Sequence, residues 1–225
     1  MTDRPVIVLV HGAWGSPAMW DDVIAALPPG QAVLVADLPT TNRSGTSLAD
    51  DAAHVRDLTG DRAAVLVGHS YGGSVITEAG SMMPGVEHLV YLAACMPDVG
   101  ESMVDWVMKR PAAEPVPMEV YDDGTSLLIL DEDHLPYDPV TNARLLAIGM
   151  RRFAIAGITT PSTAAAWHTV PSSYVVASQD TMIHPDTQRE MAVRASTVTE
   201  LDAEHQVILS HPAAVASLIV EAQAR

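Results

Sequence analysis

The sequence predicts an α/β protein: a doubly wound, mostly parallel sheet of six strands with an inserted helical cap. Short runs of apolar, β-branched residues alternate with helix-like stretches along most of the 225-residue chain. Such alternation is typical of parallel strands that are joined by helical crossovers on both faces of a sheet. Residues 97–166 break the alternation and contain no strand-like run. We therefore divide the chain into a core, residues 1–96 and 167–225, and a cap, residues 97–166.

The six strands are predicted from short apolar runs, which are typical of strands that are buried on both faces. The first run covers residues 6–10 and reads VIVLV. The remaining runs resemble it in composition and cover residues 32–36, 63–67, 86–94, 173–177 and 197–201.

Helices are predicted between these strands, and several of them have recognisable start signals. Ser47 can cap one helix, and Pro185 and Pro212 occupy the first helical position, where proline is favoured. Within the cap, residues 142–156 have an amphipathic pattern that predicts a helix. The helices predicted for the core cover residues 18–27, 47–59, 72–82, 186–195 and 212–224.

The charge of the chain argues against two classes of partner. The formal net charge is -16, and Lys109 is the only lysine. Such an acidic chain is expected to be repelled by nucleic acids and by anionic membranes. No apolar run approaches the ~18 residues of a membrane-spanning helix. A small-molecule partner is expected instead, and a homodimer is one option for the oligomeric state.

The sequence also suggests a compartment. The N-terminal residues lack the basic and apolar regions of a signal peptide, so no export signal is predicted. Cys95 is the only cysteine, which makes an internal disulfide impossible and suits a reducing compartment. We expect a cytoplasmic protein.

A serine follows the third predicted strand in a glycine-rich turn. Residues 68–72 read Gly-His-Ser-Tyr-Gly and match the pattern G-x-S-x-G between a strand and a helix. The glycines allow a very sharp turn, which would lift the Ser70 hydroxyl above the carboxyl edge of the sheet. We therefore expect Ser70 to be a nucleophile.

A serine hydroxyl needs a base, and His205 has the most suitable position among the nine histidines. It follows the last predicted strand, in a loop from which it can reach back to Ser70. His211 directly precedes Pro212 and is assigned to the helix start. His69 lies inside the turn itself and is expected to have a structural role.

The base in turn needs a carboxylate that holds its tautomer. Asp180 follows the fifth predicted strand, and the chain order Ser70, Asp180, His205 matches that of a Ser…Asp…His triad. Asp98, which follows the fourth strand, remains an alternative.

Two backbone amides are candidates for an oxyanion hole. One belongs to Tyr71, directly after the serine, and the other to Ala13, in the His-Gly-Ala-Trp turn after the first strand. Gly12 would allow the two turns to approach closely. We expect Gly12, Trp14, Met103 and Trp106 to contact the substrate. No metal-ligand spacing and no nucleotide-binding fingerprint is present, so no metal or organic cofactor is expected.

These motifs together resemble the α/β-hydrolase superfamily. Within it, the chain is similar to a small bacterial esterase-like branch that is akin to plant methylesterases, such as the salicylate-binding methylesterase, and to hydroxynitrile lyases. The resemblance implies a short six-stranded sheet with a helical lid over the serine. It also implies the roles already assigned to Ser70, His205, Asp180, Ala13 and Tyr71. The motifs that carry it are residues 11–14, 68–73, 167–175, 180, 183–189 and 205–212.

Departures from the pattern limit the choice of reaction. Hydroxynitrile lyases of this type have a threonine at the position of Gly12 and a lysine at that of Gln206, which counts against lyase activity. A haloalkane dehalogenase would have an aspartate in place of Ser70. The stretch 131–138 fits this branch poorly. The substrate pocket is therefore the part of the resemblance that can least be transferred to this chain.

The expected function is hydrolysis of a small apolar or aromatic carboxylic ester through an acyl-enzyme on Ser70. Lactone hydrolysis, C–C bond hydrolysis and acyl transfer use the same triad and remain alternatives. A cofactor-free lyase or dioxygenase, or a ligand-binding protein without activity, is a more distant alternative.

Overall fold

The computed structural model describes residues 4–113, 116–130, 135 and 137–225. The described residues contain three short helical turns of the 3-10 type, at Pro17–Trp20, Pro39–Thr41 and Ala166–His168. In this part of the chain the strands are β1 (Val6–Val10), β2 (Val33–Ala36), β3 (Ala64–His69), β4 (Val86–Leu92), β5 (Met118–Val120), β6 (Thr125–Leu128), β7 (Phe153–Ala154), β8 (Ser172–Ala177) and β9 (Thr197–Leu201). The α-helices are α1 (Asp21–Ala26), α2 (Leu48–Thr59), α3 (Gly72–Gly80), α4 (Met103–Val107), α5 (Pro139–Ile148), α6 (Ala156–Thr159), α7 (Pro185–Ala192), α8 (Val207–Ser210) and α9 (Pro212–Gln223).

Six strands form one sheet in the order β2-β1-β3-β4-β8-β9, and every neighbouring pair is parallel. The predicted α/β fold with a six-stranded sheet is confirmed. Because the strands are parallel, their carboxyl ends meet at one edge of the sheet, where ligands bind in folds of this type. The loops that follow β1, β3, β8 and β9 therefore converge at this edge.

The two faces of the sheet pack against different helices. Alternate residues of β1 point to opposite faces, so Ile7 and Leu9 lie in one apolar cluster and Val8 and Val10 in the other. Helices α1, α8 and α9 cover the first cluster, and α2, α3 and α7 cover the second. Both faces of the central strands are thus buried, which explains their uninterrupted apolar runs.

The cap segment, residues 97–166, is not purely helical, and the expectation that it contains no strand was wrong. Strands β5, β6 and β7 form a small antiparallel sheet. A tight turn ending in Gly124, which has φ +77°, joins β5 to β6. These strands have only two to four residues, and all of β5 is exposed, so they leave no apolar run in the sequence. Asp123-Gly124 was the available signal, since this dipeptide favours hairpin turns.

The cap helix also lies earlier than the predicted residues 142–156. Helix α5 begins after Asp138, whose carboxylate accepts hydrogen bonds from Val140 N at 2.9 Å and Thr141 N at 3.2 Å. It ends at Gly149, where φ is +75°. An N-cap aspartate and a glycine with positive φ are ordinary helix boundaries. Most of the stretch 131–138 lies outside the described residues.

Two further features concern only the residues with a described structure. None of the helices there is long and apolar enough to cross a membrane. Those residues also contain no group of three or more His, Cys, Asp or Glu side chains that could hold a metal ion.

Candidate active site

Ser70 lies in a strained turn between β3 and α3. Its φ is +55°, a conformation that costs a residue with a Cβ atom about 1–2 kcal/mol. The turn is so close to β1 that a Cβ atom on Gly72 would lie 2.3 Å from the Val10 carbonyl oxygen. Only glycine fits there. The turn therefore places the Ser70 side chain at the carboxyl edge of the sheet, where the other loops converge.

His205 contacts Ser70 from the loop after β9. Its Nε2 atom lies 3.0 Å from Ser70 Oγ, and both residues are largely buried. On its other side, Nδ1 lies 2.7 Å from Asp180 Oδ2. Because a carboxylate accepts hydrogen bonds, Nδ1 carries the proton, and Nε2 is free to accept the proton of the serine hydroxyl.

Asp180 is held by more than the histidine. Its Oδ1 accepts hydrogen bonds from Met182 N at 2.7 Å and Ile183 N at 2.9 Å. Its Oδ2 also accepts one from Gln188 Nε2 at 2.7 Å. The buried carboxylate thus has donors on both oxygens, which keeps it in the orientation that His205 requires.

Gln188 is a positioning residue that sequence reasoning missed. It is completely buried in α7. Its Oε1 accepts a hydrogen bond at 3.0 Å from the backbone N–H of Ala177, the last residue of β8. A glutamine one turn before the buried Met191 was the available signal, because a polar side chain on the core face of a helix needs a partner.

The structure separates Asp98 from this cluster. Its Oδ1 lies 3.0 Å from His168 Nε2, and both side chains are exposed. The carboxylate that contacts His205 is therefore that of Asp180.

His69 hydrogen-bonds to the backbone of the loop that carries His205, and not to the Ser70 hydroxyl. Its Nε2 lies 2.8 Å from the His205 carbonyl oxygen, which can only accept a hydrogen bond, so His69 donates it. Burial lowers the pKa of His69 to about 3, and the ring is therefore neutral at ordinary pH.

The turn after β1 lies against the serine. A Cβ atom on Gly12 would lie 3.0 Å from Ser70 Cβ, so a larger residue would push the two turns apart. Within the described residues, neither Ala13 N–H nor Tyr71 N–H donates to a protein acceptor. Both amides are available to a negatively charged oxygen beside Ser70.

His11 fixes the orientation of the Gly12–Ala13 peptide. Its Nδ1 donates to the Gly12 carbonyl oxygen at 2.8 Å, and its Nε2 accepts from Leu38 N at 3.4 Å. Burial lowers the pKa of His11 to about 4, so it keeps this neutral tautomer. Since C=O and N–H point in opposite directions across a trans peptide, holding the Gly12 oxygen also fixes the Ala13 N–H.

A cavity of about 150 Å³ adjoins Ser70 and His205, between the cap and the edge of the sheet. Trp14 and Met103 line it, as expected from the sequence. Its walls are mostly apolar, and the cap contributes Met103, Val107, Leu128, Leu145, Met150 and Ile158.

Trp106 and Gly12, which were also expected to contact the substrate, are not among the residues that line this cavity. Helix α4 turns Met103 and Val107, one turn apart, towards the cavity and Trp106 away from it. The Trp106 indole N–H donates instead to Glu101 Oε2 at 2.9 Å. Gly12 lies beside Ser70, where it supports the turn.

A second buried carboxylate lies behind the serine turn. Asp51 Oδ2 accepts hydrogen bonds from Tyr71 Oη at 2.8 Å and Thr40 Oγ1 at 2.6 Å, and Oδ1 accepts one from Thr40 N at 3.0 Å. Burial raises the pKa of Asp51 from 3.8 to about 6, although these hydrogen bonds oppose the shift.

This pKa predicts a pH dependence of stability. Native Asp51 binds its proton more tightly than unfolded Asp51, so its contribution favours the native state below about pH 4 and is lost as the pH rises through about 6. Asp51→Asn does not titrate, so its unfolding free energy relative to that of the wild type should rise by about 2 kcal/mol from pH 4 to pH 7. Urea unfolding of both proteins across this range measures the difference. A difference that does not vary with pH would contradict the assignment.

Comparisons with known proteins agree with this architecture. The "Alpha/beta hydrolase nvfD" of Aspergillus novofumigatus is 26% identical and aligns over 96% of this chain and 95% of its own length. The "Carbendazim hydrolyzing esterase" of a Nocardioides species is 39% identical over 112 residues, which are 43% of this chain and 45% of the esterase.

The fold is also found among solved structures. A pyrethroid hydrolase from Sphingobium faniae JZ-2 superposes with a TM-score of 0.79 at 21% identity, over 98% of this chain and 97% of the hydrolase. A family model described as "Alpha/beta hydrolase family" matches residues 7–218 of this chain. The resemblance inferred from the motifs is thereby confirmed, and the chain belongs to the alpha/beta hydrolase family.

Proposed function

We propose that this protein is a serine hydrolase that cleaves carboxylic esters of small apolar or aromatic groups through an acyl-enzyme on Ser70. The observation that carries the proposal is the continuous hydrogen-bonded chain from Ser70 to His205 to Asp180 at the wall of an apolar cavity. Family membership and the names of the similar proteins, which include an esterase and a pyrethroid hydrolase, support hydrolysis as the reaction class.

In the first half of the reaction, Ser70 Oγ attacks the ester carbonyl carbon while His205 Nε2 takes the hydroxyl proton. Asp180 stabilises the resulting imidazolium. The carbonyl oxygen becomes an oxyanion, which the N–H groups of Ala13 and Tyr71 bind. When the tetrahedral intermediate collapses, the ester C–O bond breaks, and the leaving alcohol takes the proton from His205.

The second half regenerates the enzyme. A water molecule loses a proton to His205 as its oxygen attacks the acyl carbon on Ser70. The second tetrahedral intermediate uses the same two amides. Its collapse returns the proton to Ser70 Oγ and releases the carboxylic acid.

The cavity supports a small apolar substrate. A void of about 150 Å³ with apolar walls can hold a group of about the size of a benzene ring. The two cap arginines that could have met a substrate carboxylate have other partners: Arg151 pairs with Asp37 at 2.6 Å, and Arg152 lies 3.5 Å from Asp123. A neutral acyl or aryl group fits such walls best.

Labelling with a fluorophosphonate tests the nucleophile. We expect the folded protein to form one covalent adduct, which peptide mapping by mass spectrometry locates on Ser70. Phenyl acetate in excess should slow the labelling, because it competes for the same serine, and heat-denatured protein should not react. An unlabelled Ser70 in folded protein, or an adduct on another serine, would contradict the proposal.

A further inference from the structure

One aromatic side chain of the cap touches both segments that carry the proposed oxyanion amides. Phe153, in β7, is completely buried. Its ring centroid lies 5.2 Å from that of Trp14, which directly follows Ala13. It also lies 5.2 Å from the ring of Tyr71, in an edge-to-face arrangement. Both distances are those of favourable aromatic pairs.

Trp14 has a backbone conformation that needs external support. Its φ is +58°, and a bulky residue rarely adopts the left-handed region without compensation. The cap provides three contacts: Phe153 packs on the Trp14 ring, Arg151 N donates to its carbonyl oxygen at 2.8 Å, and its Nε1 donates to Ser126 Oγ at 3.0 Å. Ser126 and Phe153 are paired residues of β6 and β7, so the two side-chain contacts come from the same pair of strands.

The Tyr71 side chain is enclosed in the same way. Its hydroxyl is bound by Asp51, and its ring lies against Phe153. Gly157 closes the remaining side, since a Cβ atom there would lie 2.5 Å from Phe153 Cζ and 3.0 Å from Tyr71 Oη. The position of Tyr71 therefore depends on how the cap packs.

We propose that the cap sheet β6–β7 positions the two oxyanion amides, with Phe153 as the central positioning residue and Ser126 as a supporting one. The proposal rests on the proposed function of the site. Both amides can bind an oxyanion only when their peptides stand in one relative orientation, and Phe153 joins the residues that set it. Without the ring, Trp14 can relax out of its left-handed conformation and turn the adjoining Ala13 peptide.

Phe153→Leu tests the proposal, because it keeps an apolar side chain but removes both ring contacts. Loss of one oxyanion donor lowers kcat by about 10² to 10³ in comparable enzymes, so partial misplacement should lower it by about 10- to 100-fold. KM for p-nitrophenyl butyrate should change by less than about threefold, since ground-state binding does not need the oxyanion amides. Ser126→Ala, which removes only the indole hydrogen bond, should show a smaller loss of the same kind.

An aryl trifluoromethyl ketone gives a readout that a purely structural role would not move. It forms a hemiketal with Ser70 that places an anionic oxygen against the two amides, whereas benzyl alcohol binds the cavity without such an oxygen. In Phe153→Leu the affinity for the ketone should fall by the same factor as kcat, and that for benzyl alcohol should stay within about twofold. As a comparison, Leu145→Ala enlarges the cavity on the side of α5. It should raise KM and lower the affinity for benzyl alcohol.

The outcomes separate this inference from the function on which it rests. A wild type that neither hydrolyses esters nor reacts with fluorophosphonate defeats both. An active wild type with Phe153→Leu and Ser126→Ala variants of unchanged kcat overturns the positioning role alone, as does a fall in kcat with unchanged affinity for the ketone. If Phe153→Leu does not fold, the Ser126→Ala result decides between these outcomes.

Discussion

Ser70→Ala is expected to lower kcat for p-nitrophenyl butyrate by about 10⁵- to 10⁶-fold, the loss seen when a triad serine is removed from a comparable enzyme. The variant cannot form the acyl-enzyme, and only the oxyanion amides and the cavity remain to accelerate attack by water. The rate that remains is typically about 10³ to 10⁴ times the uncatalysed rate. Stopped assays over hours, at several enzyme concentrations, measure it.

Ser74→Ala is the matched control, because it makes the same chemical change one helical turn further along. Ser74 is buried in α3, and its Oγ has no hydrogen-bond partner in the described part of the chain. Removal of this hydroxyl should leave kcat within about twofold of the wild-type value. The proposed acyl-enzyme would be untenable if Ser70→Ala kept more than about 1% of the wild-type rate, or if Ser74→Ala lost as much activity.

The core of the fold could be predicted because its sequence pattern depends on burial alone. Strand β1 is buried on both faces, so its five apolar residues indicate a central parallel strand without knowledge of any partner. Helix α2 was predictable from Ser47, whose backbone N–H indeed donates to Asp50 Oδ2 at 2.8 Å. In the cap, β5 has no buried residue, and its conformation is set by pairing with β6. Such a strand has no signature of its own.

The positions of Ser70, Asp180 and His205 could be inferred because parallel topology brings the ends of distant strands to one edge. The residues that hold them depend on details that a sequence does not carry. Whether Gln188 reaches Asp180 is set by the rotation of α7 about its axis. The same uncertainty explains Trp106, since the five residues of α4 are too few for a periodic pattern to show which side faces the cavity.

The second large effect is expected for Asp180→Asn, which should lower kcat by about 10⁴-fold, as the equivalent change does in a well-studied triad. The amide group replaces one carboxylate oxygen with a donor, and His205 Nδ1–H then loses its acceptor or the histidine adopts the wrong tautomer. The same change opposes the donors Met182 N, Ile183 N and Gln188 Nε2, because an amide cannot accept on both sides. We therefore also expect a lower melting temperature, which thermal unfolding measures.

Asp98→Asn is the control that compares the two carboxylates considered for this role. Asp98 is exposed and its side chain contacts His168, so its replacement should change kcat by less than about twofold. Fluorophosphonate labelling of Asp180→Asn should slow together with kcat, because both reactions need the activated serine, whereas benzyl alcohol should still bind the apolar cavity. Both half-reactions depend on an aligned imidazole. Equal losses of kcat in the two variants, or a kcat of Asp180→Asn within tenfold of the wild-type value, would therefore show that Asp180 does not orient His205.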